Sequence, residues 1–110
     1  MQYLVVSFSY HNSTIQIRES LACNDDKSHL FLLSALHKKN SVEEVIITST
    51  CNRVEVLVAT KDTVQSTKHI FSTLASYADI ALNELEGRAD VFVDQQSIAH
   101  LFAVIASLDS

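Results

Sequence analysis

Proline is missing from this 110-residue sequence, and glycine occurs once, at Gly87. A dinucleotide fingerprint needs several glycines for its tight turn and for close approach of the backbone to pyrophosphate. A phosphate-binding P-loop needs two at a fixed spacing, so neither can be built here. Cysteine is nearly as scarce. Cys23 and Cys51 make no disulfide framework and no CxxC pair from which a zinc site could start. The histidines at 11, 29, 37, 69 and 100 fall at no metal-ligand spacing with them, so no metal is expected. Long apolar runs are also lacking. A membrane-spanning helix needs about 20 such residues, and the N-terminus does not show the basic, apolar and small-residue succession of a signal peptide. A cytoplasmic setting with both thiols reduced is therefore expected. Finally, positive charge is in deficit: 8 Lys and Arg face 13 Asp and Glu, a net charge of −5. That is no electrostatic footprint for nucleic acid, and any basic surface among Lys38, Lys39, Arg53, Lys61, Lys68 and Arg88 has to be assembled locally by the fold.

What is present reads as one domain with one core, at 47% hydrophobic and 19% charged residues. Tyr3 to Ser9 is a β-rich run, and Ile15 to Ala22 a short helix or turn. Asp25-Asp26 starts a longer helix carrying Leu30, Phe31, Leu33 and Leu36, which stops near Asn40 with Lys38 and Lys39 at the negative end of its dipole. Glu43 to Ser49 and Val54 to Thr60 are the clearest strands, joined by a short turn as an antiparallel hairpin. Asp62 or Thr63 caps a helix through Ile70, Phe71, Leu74, Tyr77 and Ala78. A second helical stretch, Ala81 to Glu86, stops at Gly87. Val91 to Asp94 is a short strand, and a helix follows from Gln95 to about Ser107. This order predicts an α+β fold: a ferredoxin-like split β-α-β antiparallel sheet with helices on one face and an added C-terminal helix. Because Ser107 to Ser110 end directly on that helix, the chain is expected to be cut from a longer one.

The segment with the most chemistry is Ser49-Thr50-Cys51-Asn52-Arg53-Val54-Glu55. Strands on both sides hold it while the turn stays reachable, which is where a thiolate nucleophile is placed. Attack requires the thiolate, and a cation such as Arg53 favours it over the thiol, whose free pKa is about 8.5. Most free cysteines are small buried apolar residues. Thr50, Asn52 and Arg53 are a poor wrapping for one. Cys23, among Leu21, Ala22, Asn24 and Asp25, has no such setting and reads as structural. Glu19, after Arg18, is at most a polar contact near a site, and the carboxylate pairs Asp25-Asp26 and Glu43-Glu44 read as dipole partners and solvated edges.

On the last helix, Ile98, Leu101, Phe102, Ile105 and Leu108 fall on one face, which puts His100 off its centre, with Val104 and Ser107 beside it. The expectation for a lone histidine there is a solvated surface residue, unless a partner lies across a cleft.

The string at 49–55 resembles the signature of the glutamyl-tRNA reductase family, which opens the five-carbon route to tetrapyrroles and haem. Ile98 to Ser110 is similar to the family's helix running into Gly-Leu-Asp-Ser, and Ile17-Arg18-Glu19 is a third match in the same order. The resemblance implies that residues 1–110 are the N-terminal catalytic domain, that an NADPH-binding domain and a helical dimerisation domain follow, and that the whole enzyme is a homodimer. It implies that Cys51 attacks the ester joining glutamate to its tRNA, giving a thioester that NADPH reduces to glutamate-1-semialdehyde. Thr50, Cys51, Asn52 and Arg53 then line the substrate site, with Arg53 as clamp for the substrate carboxylate. His100 matches a histidine important for activity and Ser110 a substrate-contacting serine. Glutamate-1-semialdehyde aminomutase is the implied recipient of the product. The sequence departs from the family pattern at Ser7, Ser9, Tyr10 and Thr14, where Gly, Asn, His and Pro are common, and at Ser107, where the family has glycine.

The rival expectation is a non-catalytic ferredoxin-like interaction module whose hairpin holds a structural cysteine. A thiol oxidoreductase would need a resolving cysteine within reach, and nothing places Cys23 there.

Overall fold

Strand β1 (Gln2–Ser9) lies inside a four-stranded sheet and is buried on both faces from Leu4 to Ser9, apolar on one through Leu4, Val6 and Phe8 and carrying Val5, Ser7 and Ser9 on the other. It pairs antiparallel with β3 (Arg53–Thr60) on one side and β4 (Asp90–Val93) on the other, and β2 (Val42–Ser49) forms the edge beyond β3. The computed structural model describes residues 1–23, 25–38, 41–50 and 52–109. Helices α1 (Ile15–Leu21) and α2 (Asp26–His37) connect β1 to β2, α3 (Thr63–Ala78) and α4 (Leu82–Glu86) connect β3 to β4, and α5 (Gln95–Asp109) follows β4. The order β2-β3-β1-β4 with every pair antiparallel is the ferredoxin-like split β-α-β arrangement expected from the sequence.

Alternation along the strands divides two faces. Leu4, Val6 and Phe8 of β1 and Val54, Val56 and Val58 of β3 are buried in the main core with Leu21, Leu32, Leu36, Ile70 and Leu74 from the helices. Val5, Ser7 and Ser9 of β1 and Arg53, Glu55 and Leu57 of β3 point the other way, toward the face crossed by α5. There a cleft of about 280 Å³ opens between Tyr3 and Leu57 of the sheet and Ser97, Ile98 and Leu101 of the helix. At the far end of β3, the buried hydroxyls of Thr60 and Ser66 meet at 2.6 Å and tie the start of α3 to the sheet.

Side-chain caps start three helices: Thr14 Oγ1 accepts from Ile17 N (3.3 Å), Asp25 Oδ1 from Ser28 N (2.7 Å) and Asp62 Oδ1 from Gln65 N (3.1 Å). With glycine nearly absent, the positive-φ positions among the described residues are both aspartates, Asp79 (φ 55°) and Asp94 (φ 57°). A short polar side chain tolerates this region by bonding locally. The Asp94 carboxylate bonds across the sheet instead, accepting from Gln2 Nε2 (2.9 Å) and Tyr3 N (3.3 Å), which fixes the corner from β4 into α5.

The buried side of α2 is narrower than the apolar set read from the sequence. In α2, Leu32 and Leu36 face the core, while Leu30 and Phe31 are each 64% exposed. A helix packed by one i, i+4 pair leaves the residues about a third of a turn or more away on its open side. In α5, Ser97 is buried and Ile98, though 44% exposed, lines the cleft against the sheet together with Leu101; the side chains of Phe102, Ile105 and Leu108 lie outside the described residues. The start of the helix is fixed at the Asp94 corner, where Ser97 Oγ donates to Asp94 O (2.7 Å). Gly87 does end α4, in a right-handed conformation (φ −78°).

Candidate functional site

The hairpin turn between β2 and β3 is closed by main chain and by one hydroxyl. Thr50 N donates to Arg53 O (2.8 Å), and Thr50 Oγ1 accepts from Asn52 N (3.3 Å) and Arg53 N (3.2 Å). From the β1–α1 loop, Tyr10 N donates to Asn52 O (3.1 Å), so the turn is bound to a second loop as well as to its own strands. Cys51 lies outside the described residues, as does Ser110. Thr50, Asn52 and Arg53 are joined by these turn bonds, and Arg53 sits half-buried at the start of β3 opposite Ser9.

His100 is not a solvated surface residue. Its Nε2 meets Glu55 Oε2, and the two side chains are 15% and 6% exposed. Phe92 of β4 stacks on the imidazole, ring centroids 4.3 Å apart and planes 14° apart. The partner across the cleft that would change the reading of His100 is therefore Glu55, which sequence reasoning did not single out. The signal was in the alternation: with Val54 and Val56 in the core, Arg53 and Glu55 must share the opposite face. What the string could not show is that a helix 45 residues later lies over it.

With Glu55 as a carboxylate, Nε2 carries a proton and donates it to Oε2, which orients the ring. Arg53 adds a planar fork of donors suited to a carboxylate. The face thus offers an anion-binding group and an oriented proton-handling pair at one end of a rigid sheet. Among the described residues, no group of His, Cys, Asp or Glu could hold a metal ion. Cys23 stands apart, packed against the main core; burial pushes its thiol pKa up, the charge of Asp25 adds to that, and a hydrogen bond with Tyr77 opposes it.

These features define a ferredoxin-like α+β domain with a polar site on the sheet face beneath its last helix. The chain belongs to the glutamyl-tRNA reductase family: it matches the family described as glutamyl-tRNAGlu reductase, N-terminal domain, over residues 6–110. It is 48% identical over 110 residues to a glutamyl-tRNA reductase of Sulfurimonas denitrificans, 43% to one of Nitratiruptor sp. and 42% to one of Campylobacter curvus. Each alignment covers 100% of this chain and 26% of the relative, so the chain spans about a quarter of their length.

Proposed function

We propose that this domain takes the glutamyl group from glutamyl-tRNA as a thioester on Cys51, within an enzyme that makes glutamate-1-semialdehyde for tetrapyrrole synthesis. The observation that carries the reading is the buried Glu55–His100 pair, on the same face of the sheet as Arg53, which closes the cysteine-bearing turn two residues after Cys51. In this reading Arg53 meets the substrate carboxylate and holds the ester over the turn. The Cys51 thiolate adds to the ester carbonyl carbon; a C–S bond forms and the C–O bond to the ribose breaks. The electron pair leaves with the ribose oxygen, which takes up a proton, and tRNA departs. His100, oriented by Glu55, handles protons beside the reacting group, and Ser110 contacts the substrate.

Reduction of the thioester to the aldehyde would need a hydride donor, and NADPH is the one the family reading implies. The residues here do not fit it: the single glycine, Gly87, closes a short helix at φ −78°, and no Gly-rich strand-to-helix turn exists. Cofactor binding is assigned to another domain of the enzyme, as are the homodimer contact and any transfer to the aminomutase. The setting is cytoplasmic in this reading; among the described residues no helix is long and apolar enough to cross a membrane.

The test uses the full-length enzyme with glutamyl-tRNA labelled on glutamate. A hydroxylamine-sensitive adduct at Cys51 is expected, together with loss of reductase activity in Cys51→Ser. Retained activity in that variant would leave the domain as an interaction module with a structural cysteine.

A further inference from the structure

The loop between β1 and α1 is fastened more heavily than a connection of its length requires. The Ser9 carbonyl accepts from four donors, Asn12 N (3.2 Å), Ser13 N (3.0 Å), Ser13 Oγ (2.6 Å) and Arg18 Nη1 (3.2 Å). Arg18 is itself buried and also donates to Ser13 O, so a guanidinium lies under the loop. From the other side comes Asn12. Its Oδ1 accepts from Ser9 N (2.8 Å), and its Nδ2 donates to Ser7 O (3.1 Å) and to Asp90 Oδ2 (3.1 Å). Only one amide orientation satisfies all three, because the reverse would set an oxygen against a carbonyl and a carboxylate. Asn12 therefore joins the end of β1 to the start of β4. Between these anchor points, Tyr10 N reaches out to Asn52 O in the β2–β3 turn.

We propose that Asn12 is a positioning residue for the Cys51 turn: it holds the β1–α1 loop, and through Tyr10 and Asn52 sets where that turn stands relative to Arg53, Glu55 and His100. The proposal rests on the thioester reading above. Asn12 touches no reacting atom in it. Its action is geometric, and misplacement by about 1 Å costs on the order of 100-fold in a reaction that depends on alignment.

The test compares two reactions of Cys51 in the full-length enzyme, acylation by glutamyl-tRNA in a single turnover and alkylation by iodoacetamide, with Tm recorded for each variant. For Asn12→Ala, acylation is expected to fall roughly 10- to 100-fold, as misalignment does. Alkylation, which demands no alignment, should hold to within about twofold. Asn12→Asp should be worse, since it puts a carboxylate against Ser7 O and Asp90, and Asp90→Asn in the same chain should recover part of the loss. Should Asn12→Ala lose its fold, Asp90→Ala removes only the β4 arm and should lower acylation alone. Wild-type acylation in Asn12→Ala or Asp90→Ala overturns the proposal, as does an equal fall of both reactions. If the wild-type enzyme forms no Cys51 adduct, the thioester reading fails and the proposal falls with it; an adduct formed equally well without Asn12 removes the proposal alone.

Discussion

His100 Nε2 and Glu55 Oε2 meet in the space between α5 and the sheet, although 45 residues separate them in the chain. A carboxylate as buried as Glu55 is costly without a donor, and the imidazole is the donor. The same contact limits rotation of the ring, which Phe92 already stacks. One interaction therefore serves both docking of the last helix and orientation of a proton-handling group.

Removing either partner should separate these roles. His100→Asn is expected to lower turnover of the full-length enzyme by about 100-fold, the lower end of what a positioned acid or base supplies. Glu55→Gln should lower it less, since the ring is retained. His100→Ala leaves Glu55 without its donor and should cost about 1–3 kcal/mol, read from urea unfolding. Equal turnover in His100→Asn and wild type would return His100 to a structural role.

Thr50 should matter through its hydroxyl. Its Oγ1 accepts from two backbone amides of the turn, so Thr50→Val keeps the shape and loses both bonds. A loss of about 1 kcal/mol in stability is expected, with Thr50→Ser restoring most of it. In the thioester reading, acylation of Cys51 follows the same order in single-turnover assays.

Cys23 should be the slow thiol. Burial and the charge of Asp25 raise its pKa, so at neutral pH less of it is thiolate than in a free cysteine, and its labelling should climb only as pH passes above the ordinary thiol range. Iodoacetamide labelling of Cys51→Ser, followed by mass spectrometry against pH, reads this directly. Labelling as fast as a model peptide thiol at pH 7 would contradict the burial argument.

The helix caps give a stability prediction with a pH sign. Asp62→Ala removes the acceptor for Gln65 N and should cost about 1 kcal/mol. Asp25 is held below the usual carboxylate range, first by the backbone N–H of Ser28. Its contribution is present above the unfolded-state pKa and is lost as pH falls through the lower folded value. Thermal melts should show wild type losing more Tm on acidification than Asp25→Ser, whose hydroxyl cap does not titrate. Parallel losses would remove Asp25 as the cause.

The elements were legible where local physics decides them. Alternating β-branched residues over Val54 to Thr60, the aspartate caps and the short turn after Ser49 each specify their own conformation, and together they specify the order of strands and helices. In α2, apolar residues are spread around much of the helix, and packing against a neighbour selects the buried side. Leu32 and Leu36 are buried there, while Leu30 and Phe31 lie exposed.

The same division holds for the site. The sequence by itself determined the residues of the turn, the family to which they belong, and the placement of Arg53 and Glu55 on one face, because strand alternation is a local property. Only the tertiary structure decided that Glu55 and His100 are partners, that Phe92 stacks on the ring and that Asn12 braces the loop beside the turn. These contacts join residues 45, 8 and 78 positions apart, and short-range pattern carries no information about what the folded sheet and its last helix bring face to face.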